Sequence, residues 1–227
     1  MIDTCIDELL KSYPRIRPPL TEKHKKIYVE EYKINRGGKG ALYKIVSWIE
    51  GFGHRKIAKC SLRGDVLEIG SGSLNHILFE KDYKNYDCIE PFLDLYLGSP
   101  HLKAVRQVYS DIGDVPVNNY YSRIISFAVL EHLENLPSVL ARSALQIETY
   151  GIFQAVIPTE GGFLWGAAWR CTTGVAYWIR TGLDYKRLMQ HEHVNDAKEI
   201  TMLVKYFFKY VNPSSCSEKL NSMISIR

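Results

Sequence analysis

Short apolar runs alternate with segments of helical periodicity through the middle of the chain. Five runs are typical of buried strands, and they cover 65–70, 86–90, 104–110, 123–129 and 151–157. Between the last two lies 136–147, where Leu136, Leu140, Ala144 and Ile147 recur at helical spacing. This alternation predicts an α/β domain whose parallel sheet carries helices on both faces.

The two ends of the chain carry further helical patterns. Ile2, Ile6, Leu9 and Leu10 predict an amphipathic helix that ends before Pro14, and a second helix is expected over 40–50. A late helix over 195–209, capped by Asn195 or Asp196, precedes a short final strand at 222–226. We therefore expect a helical N-terminal cap over 1–60 and one main domain over 61–227.

The stretch 66–78, VLEIGSGSLNHIL, places a glycine-rich turn directly after a buried strand. Gly70 and Gly72 permit a tight turn and a close approach of a ligand to the backbone. A helix is expected to begin near Leu74, and its free N–H groups would favour an anionic ligand group.

Acidic residues follow the next two strands. Glu90 ends the second strand, where a carboxylate can accept both hydroxyl hydrogens of a ribose. Asp111 follows the third strand, where an acid can accept from an adenine amino group. With Glu68 in the first strand, these positions predict a nucleoside pocket.

Two kinds of nucleoside cofactor fit such a pocket. A dinucleotide fold calls for G-x-G-x-x-G, but Asn75 stands at the third glycine position. The E-x-G-x-G pattern that starts at Glu68 instead resembles motif I of the class I S-adenosylmethionine-dependent methyltransferases. IEPF (89–92), SDIGDVP (110–116) and ISFAVLEHLENL (125–136) resemble their later motifs, and VLEHL is common in the methyltransferase-type-11-like branch. The resemblance covers about 65–157, and it departs at Leu74, where the family often has a third glycine.

The resemblance implies a Rossmann-like, doubly wound sheet of seven strands. Its last strand would be antiparallel, with a lid over 158–194 after strand five. It also implies S-adenosylmethionine as the cofactor and methyl transfer to a small-molecule acceptor. The implied cofactor residues are Glu68, Gly70, Ser71 and Gly72 beside methionine, Glu90 and Pro91 at the ribose, Asp111 and Ile112 at adenine, and Phe127 and Ala128 beside the sulfonium.

The acceptor is expected to bind beside strand four and under the lid. His132 and His191 are the candidate bases for a hydroxyl acceptor, and His193 is a candidate substrate contact. Trp165 and Trp169 lie one helical turn apart in the lid, where they could stack on the acceptor. Polar residues between these rings favour O-methylation of a sugar or polysaccharide precursor, and a quinone or other aromatic metabolite is the alternative. No N/D-P-P-Y follows strand four, which argues against methylation of an adenine amino group.

Charge and cysteine usage restrict the remaining classes. The net charge is +4, and residues 11–44 hold ten basic side chains against three acidic ones. Such a cluster is usually a solvated face, and its functional alternative is a clamp for a phosphorylated substrate or a peripheral contact with an anionic membrane. No dense basic and aromatic face predicts nucleic acid. Five cysteines without a CxxC pair predict reduced thiols, a cytoplasmic protein and no metal site.

Several alternatives stay open at this point. The chain contains no run of 18 apolar residues, so no transmembrane helix is expected. The N-terminus does not resemble a signal peptide. A NAD-dependent oxidoreductase on a related sheet and a non-catalytic binding protein are the competing functions. The sequence leaves the oligomeric state undetermined.

Overall fold

The computed structural model describes residues 2–25, 53–60, 62–158, 185–209, 211–215 and 221–226, together with positions 27, 51, 177, 179 and 181–183. Seven strands lie in this part of the chain: β1 (Val66–Ile69), β2 (Tyr86–Ile89), β3 (Gln107–Tyr109), β4 (Tyr121–Phe127), β5 (Ile147–Pro158), β6 (Val211–Ser215) and β7 (Asn221–Ile226). They form one sheet in the order β3-β2-β1-β4-β5-β7-β6.

The first five strands are parallel to one another. The pairs β1–β2, β1–β4, β2–β3 and β4–β5 all run in the same direction. The antiparallel pairs are β5–β7 and β6–β7. The predicted α/β architecture with a parallel sheet is therefore confirmed, and the chain reverses its winding direction between β1 and β4. Ligands of such sheets bind at this reversal, outside the carboxyl ends of the strands.

The strands differ from the sequence pattern in several places. β5 starts at Ile147 rather than at 151, and β3 starts at Gln107 rather than at 104. The pattern did not predict β6, which contains Pro213. Because β6 lies at the edge of the sheet, one of its sides has no ladder, and an edge strand tolerates the missing N–H of proline.

The helices that flank the sheet include α1 (Ile2–Lys11), α2 (Leu93–Tyr96), α3 (Leu136–Gln146), α4 (Tyr185–Glu192) and α5 (Ala197–Phe207). Residues 22–25 and 53–57 are also helical. The predictions of α1, α3 and α5 are confirmed. Asp196 is the N-cap of α5, since its carboxylate accepts from the Glu199 N–H at 2.8 Å. The helix expected over 40–50 lies outside the described residues. None of the described helices is long and apolar enough to cross a membrane.

The core lies on both faces of the sheet. On one face, α1, α3 and α5 bury side chains such as Ile6, Leu140 and Leu203 against Ile124 of β4. On the other face, Ile57 packs with a second set of strand side chains, namely Val66, Cys88, Ile125 and Val156. Neighbouring residues of one strand thus enter different cores, as the period of two in a strand requires.

The prediction of a helix that begins near Leu74 is wrong. Leu74 is buried with a φ of +65°, and a residue in this left-handed region cannot itself belong to a right-handed helix. A single 3-10 turn over His76–Leu78 follows instead. The carboxyl end of β1 therefore offers the N–H groups of a turn to a ligand, and not the N-terminus of an α-helix.

Candidate cofactor and acceptor site

The turn after β1 depends on two glycines for different reasons. Gly70 has a φ of +72°, and a Cβ atom there would lie 2.3 Å from Cγ2 of Val129. Gly72 has a φ of +52°, but a Cβ atom there would meet nothing within 4 Å. Gly70 thus allows close packing against the loop after β4, whereas Gly72 borders open space into which a ligand can enter.

Glu90 connects this turn to the end of β2. Its Oε2 accepts from the Gly72 N–H at 2.7 Å, and its Oε1 accepts from the Phe92 N–H at 3.1 Å. Glu90 is 5% exposed, and the adjacent Pro91 is exposed. Each oxygen keeps a further lone pair, so the carboxylate can still accept from two hydroxyl groups.

Glu68 lies in β1 itself and is buried. Tyr86 donates to its Oε2 at 2.9 Å. Burial raises the pKa of Glu68 to about 7, although His76 and the Tyr86 hydroxyl act in the opposite direction. Glu68 therefore connects β1 to Tyr86 of β2 inside the core, and the buried Ser71 follows it in the turn.

Asp111 follows β3, and its side chain is exposed. Its Oδ1 accepts from the Gly113 N–H at 2.7 Å, and Asp114 accepts from the Asp111 N–H at 3.1 Å. These bonds fix a 3-10 turn in which Ile112 is buried. The Glu90 N–H donates to the Tyr109 carbonyl at 2.8 Å, so the ends of β2 and β3 are joined.

The end of β4 lies beside the end of β1 in the sheet. Ala128 has a φ of +52°, and its N–H donates to the Val156 carbonyl at 2.8 Å. The ring of Phe127 stacks on the ring of His54, with centroids 3.9 Å apart. Gly53 also approaches this ring, since a Cβ atom there would lie 2.7 Å from Cε2 of Phe127. The segment 53–57 therefore packs directly over the end of β4.

The sequence matches no protein-family model and no curated protein. Its fold matches solved structures. An S-adenosylmethionine-dependent methyltransferase from Clostridium acetobutylicum superposes with a TM-score of 0.54 at 11% identity, over 90% of this chain and 98% of that one. An O-methyltransferase family protein from Burkholderia thailandensis gives 0.57 at 12% identity, over 100% and 68%. The DhpI–SAH complex gives 0.58 at 10% identity, over 99% and 95%.

The chain has the class I methyltransferase fold. In this fold the ends of β1, β2, β3 and β4 are neighbours, which is where the sequence-predicted cofactor residues lie. The structure thus gathers Gly70, Gly72, Glu90, Asp111 and Ala128 along one edge of the sheet. It also adds His54, which the sequence analysis did not single out.

A buried polar chain extends from His54 into the core. His54 Nδ1 lies 2.7 Å from His76 Nδ1, and His76 Nε2 lies 2.8 Å from Glu80 Oε1. Arg123 in turn donates to both oxygens of Glu80, at 2.6 and 2.9 Å. Burial alone would raise the pKa of Glu80, but the bonds from His76 and Arg123 lower it to about 2. Burial, together with nearby His76, lowers the pKa of His54 to about 3, so its ring is neutral.

The candidate acceptor residues are only partly brought together. The rings of His132, in the loop after β4, and His193, just after α4, lie 4.7 Å apart. His132 Nδ1 lies 2.9 Å from the Glu192 carbonyl, and burial and His193 both lower the pKa of His132. His191 is held elsewhere, with its Nδ1 2.7 Å from the Pro18 carbonyl. Trp165 and Trp169 lie outside the described residues.

The N-terminal segment is hydrogen-bonded to the parts of the chain that carry His132 and His191. Arg17 donates to the carbonyls of His132 and His191, at 2.7 and 3.1 Å. The Tyr13 hydroxyl donates to Asn195 Oδ1 at 2.6 Å. Sequence reasoning missed these contacts because their partners lie more than a hundred residues apart, and apolar periodicity carries no signal for them.

Proposed function

We propose that this protein transfers a methyl group from S-adenosylmethionine to a small-molecule acceptor. The observation that carries the proposal is the carboxylate of Glu90, which stands at the end of β2 and is fixed by the Gly72 N–H of the glycine turn. On this fold, that combination suits a ribose beside a ligand that passes close to backbone. The competing NAD-dependent oxidoreductase is disfavoured because Asn75 replaces the third glycine.

The residues present fit the proposed cofactor. The open space over Gly72 accommodates a ligand that a Cβ atom would obstruct, and this suits the methionine part. Glu90 would hold the ribose, and Asp111 with the Ile112 backbone would hold adenine. When bound, the cofactor supplies a methyl group on a sulfonium that a nucleophile displaces in line.

The chain's own residues would then align the acceptor with this methyl group. Alignment of two bound reactants can lower the activation barrier by about 7 kcal/mol or more. Positioning is therefore the main contribution of the protein. Phe127 and Ala128, at the end of β4, would form the floor beside the methyl group. His132 lies in the loop that follows, so we favour it over His191 as the group that accepts a proton from the acceptor.

We further propose that the acceptor is a hydroxyl of a sugar or polysaccharide precursor. Trp165 and Trp169, interleaved with polar residues of the segment 158–194, support stacking on a sugar ring. A quinone or other aromatic metabolite is the alternative substrate class. The residues 1–60 would act as a helical cap over this side, which the bonds from Arg17 to the loop after β4 support.

Two acceptor panels distinguish these substrate classes. Purified protein is incubated with methyl-labelled S-adenosylmethionine and either nucleotide sugars and oligosaccharides or quinols and catechols. The proposal expects label in a methyl ether of a sugar. Label only in the aromatic panel would replace the sugar with the aromatic alternative. Cofactor binding without transfer to any member of either panel would favour a non-catalytic binding protein.

A further inference from the structure

A cluster of three metal-ligating side chains lies beside the end of β4. Glu131, His132 and His193 each offer one ligand atom, and these atoms lie within 4.8 Å of one another. Glu131 is 4% exposed, and the two histidines are half-buried. We propose that these three residues bind a divalent transition-metal ion whose open positions face the acceptor.

The hydrogen bonds of His132 suit it to the role of a ligand. With a proton on Nδ1, the ring donates to the Glu192 carbonyl at 2.9 Å, and Nε2 then carries the free electron pair. That Nε2 lies 3.8 Å from Glu131 Oε1. A bond of this kind to the second ring nitrogen commonly orients a metal-bound histidine. Ligand atoms about 2.0–2.2 Å from one ion lie about 3–4 Å apart, so small side-chain rotations close the site.

The backbone around the cluster is fixed independently of any ion. The N–H groups of Val194 and Asn195 both donate to the Glu131 carbonyl, at 2.9 and 3.1 Å. The buried Asn195 amide donates to the carbonyls of Leu130 and Leu133, at 2.9 and 2.8 Å. These bonds hold the chain beside His193 against the loop that carries Glu131 and His132. Ligands that are already in place lose little conformational freedom when an ion binds.

The ligand set indicates which ion would bind. Two imidazole nitrogens and one carboxylate oxygen suit zinc, manganese, iron or cobalt better than magnesium or calcium, which prefer oxygen alone. Three protein ligands leave open positions, as in metal sites that act on a substrate. This proposal replaces the expectation from sequence spacing that no metal is bound, because H-x-H at 191–193 does not reveal ligands from the loop after β4.

The chemical role of the ion rests on the proposed function. An acceptor hydroxyl at an open position of the ion would have a lowered pKa, so it loses its proton to solvent more readily. Its oxygen then forms the new bond to the methyl carbon. The carbon–sulfur bond breaks, and its electron pair remains on sulfur. His132 then acts as a ligand of the ion and not as the proton acceptor. The ion thus activates the nucleophile, whereas Glu90 and the glycine turn hold the methyl donor.

Cobalt binding tests the site without any acceptor. Protein freed of metal with a chelator is titrated with Co²⁺ while its visible absorption is followed. We expect about one Co²⁺ per chain, and a loss of affinity of at least about tenfold in His132→Ala and His193→Ala. Wild-type protein that takes up no Co²⁺, or variants that bind it as wild type does, would overturn the proposal.

A matched pair of glutamates controls for unspecific charge. Glu131→Gln removes the buried ligand, whereas Glu134→Gln makes the same change at an exposed position three residues along the chain. We expect only Glu131→Gln to weaken Co²⁺ binding, and equal affinities would contradict the site. Titration of the same samples with S-adenosylhomocysteine separates the two proposals. Binding of this ligand without Co²⁺ uptake rejects the metal site alone, and Co²⁺ uptake without it rejects the proposed function.

Discussion

The N–H of Gly72 donates a 2.7 Å hydrogen bond to Oε2 of Glu90. This bond joins the turn after β1 to the end of β2, so the two parts of the candidate cofactor site hold each other in position. A ligand that binds both parts meets a carboxylate whose orientation is already set. Preorganised charged hydrogen bonds of this kind make a larger contribution to binding than neutral ones.

Replacement of Glu90 should therefore weaken cofactor binding. We expect Glu90→Ala to reduce the affinity for S-adenosylhomocysteine by about 1.5–3 kcal/mol through lost charged hydrogen bonds. Isothermal titration calorimetry measures this change. Glu148→Ala is the control, since Glu148 is exposed in β5 and should bind as wild type does. Equal affinities of the two variants would contradict the ribose assignment.

The two glycines of the turn should separate stability from binding. Gly70→Ala places a methyl group against Val129 at a positive φ, so we expect it to lower the free energy of unfolding by about 2–4 kcal/mol. Gly72→Ala carries only the backbone cost of about 1–2 kcal/mol, but its methyl group enters the space of the ligand. Denaturant unfolding and ligand titration on both variants check this. A Gly72→Ala protein with wild-type affinity would show that no ligand approaches this backbone.

Glu80 should make the fold sensitive to acid. Its pKa in the folded protein is about 2, below the ordinary value of 4.5, because His76 and Arg123 bind its charged form. The stability from this shift is present above pH 4.5 and is lost as the pH falls towards 2, to an extent of roughly 3 kcal/mol. Urea unfolding across this range should show a flatter pH dependence in Glu80→Gln than in wild type. Identical slopes would contradict the buried chain.

Glu68 should act in the opposite direction. Burial raises its pKa to about 7, so its ionisation opposes folding. The stability of the protein should fall as the pH rises from 4.5 through 7, with roughly 3 kcal/mol from this group. Glu68→Gln keeps the size of the side chain and removes the ionisation, so its unfolding free energy should change less over this interval. A variant that follows the wild-type curve would show that Glu68 is not the group that titrates.

The two tryptophans of the segment 158–194 should affect transfer and not cofactor binding. We expect Trp165→Ala and Trp169→Ala to keep the affinity for S-adenosylhomocysteine within about twofold, or roughly 0.5 kcal/mol. Transfer to the acceptor should fall by about tenfold or more. Thermal melts and ligand titrations provide the first check. A lower melting temperature together with a parallel loss of ligand binding would reject a role in acceptor recognition.

The sequence predicted the parallel sheet because buried strands leave a strong local pattern, as in 65–70 and 123–129. It also placed Glu90 and Asp111 at the ends of the second and third strands, since acidic residues that follow an apolar run are visible without a structure. It failed after Gly72, where the left-handed Leu74 ends any continuation into a helix. It did not predict β6, because a proline such as Pro213 argues against a strand and its tolerance at a sheet edge is visible only in the structure.

The polar clusters could not be predicted for a different reason. His54 and His76 meet although 22 residues separate them, and Glu80 meets Arg123 across 43 residues. Only the folded sheet brings such groups together, and no periodic pattern marks them. The same holds for Glu131 and His193, which come from different loops.

Calorimetric titration of the wild-type protein tests the central claim most directly. S-adenosylhomocysteine and NAD are titrated into separate samples under the same conditions. The account predicts saturable binding of S-adenosylhomocysteine with a dissociation constant in the micromolar range, about 8 kcal/mol, and no comparable response to NAD. Tight binding of NAD with no response to S-adenosylhomocysteine would contradict it.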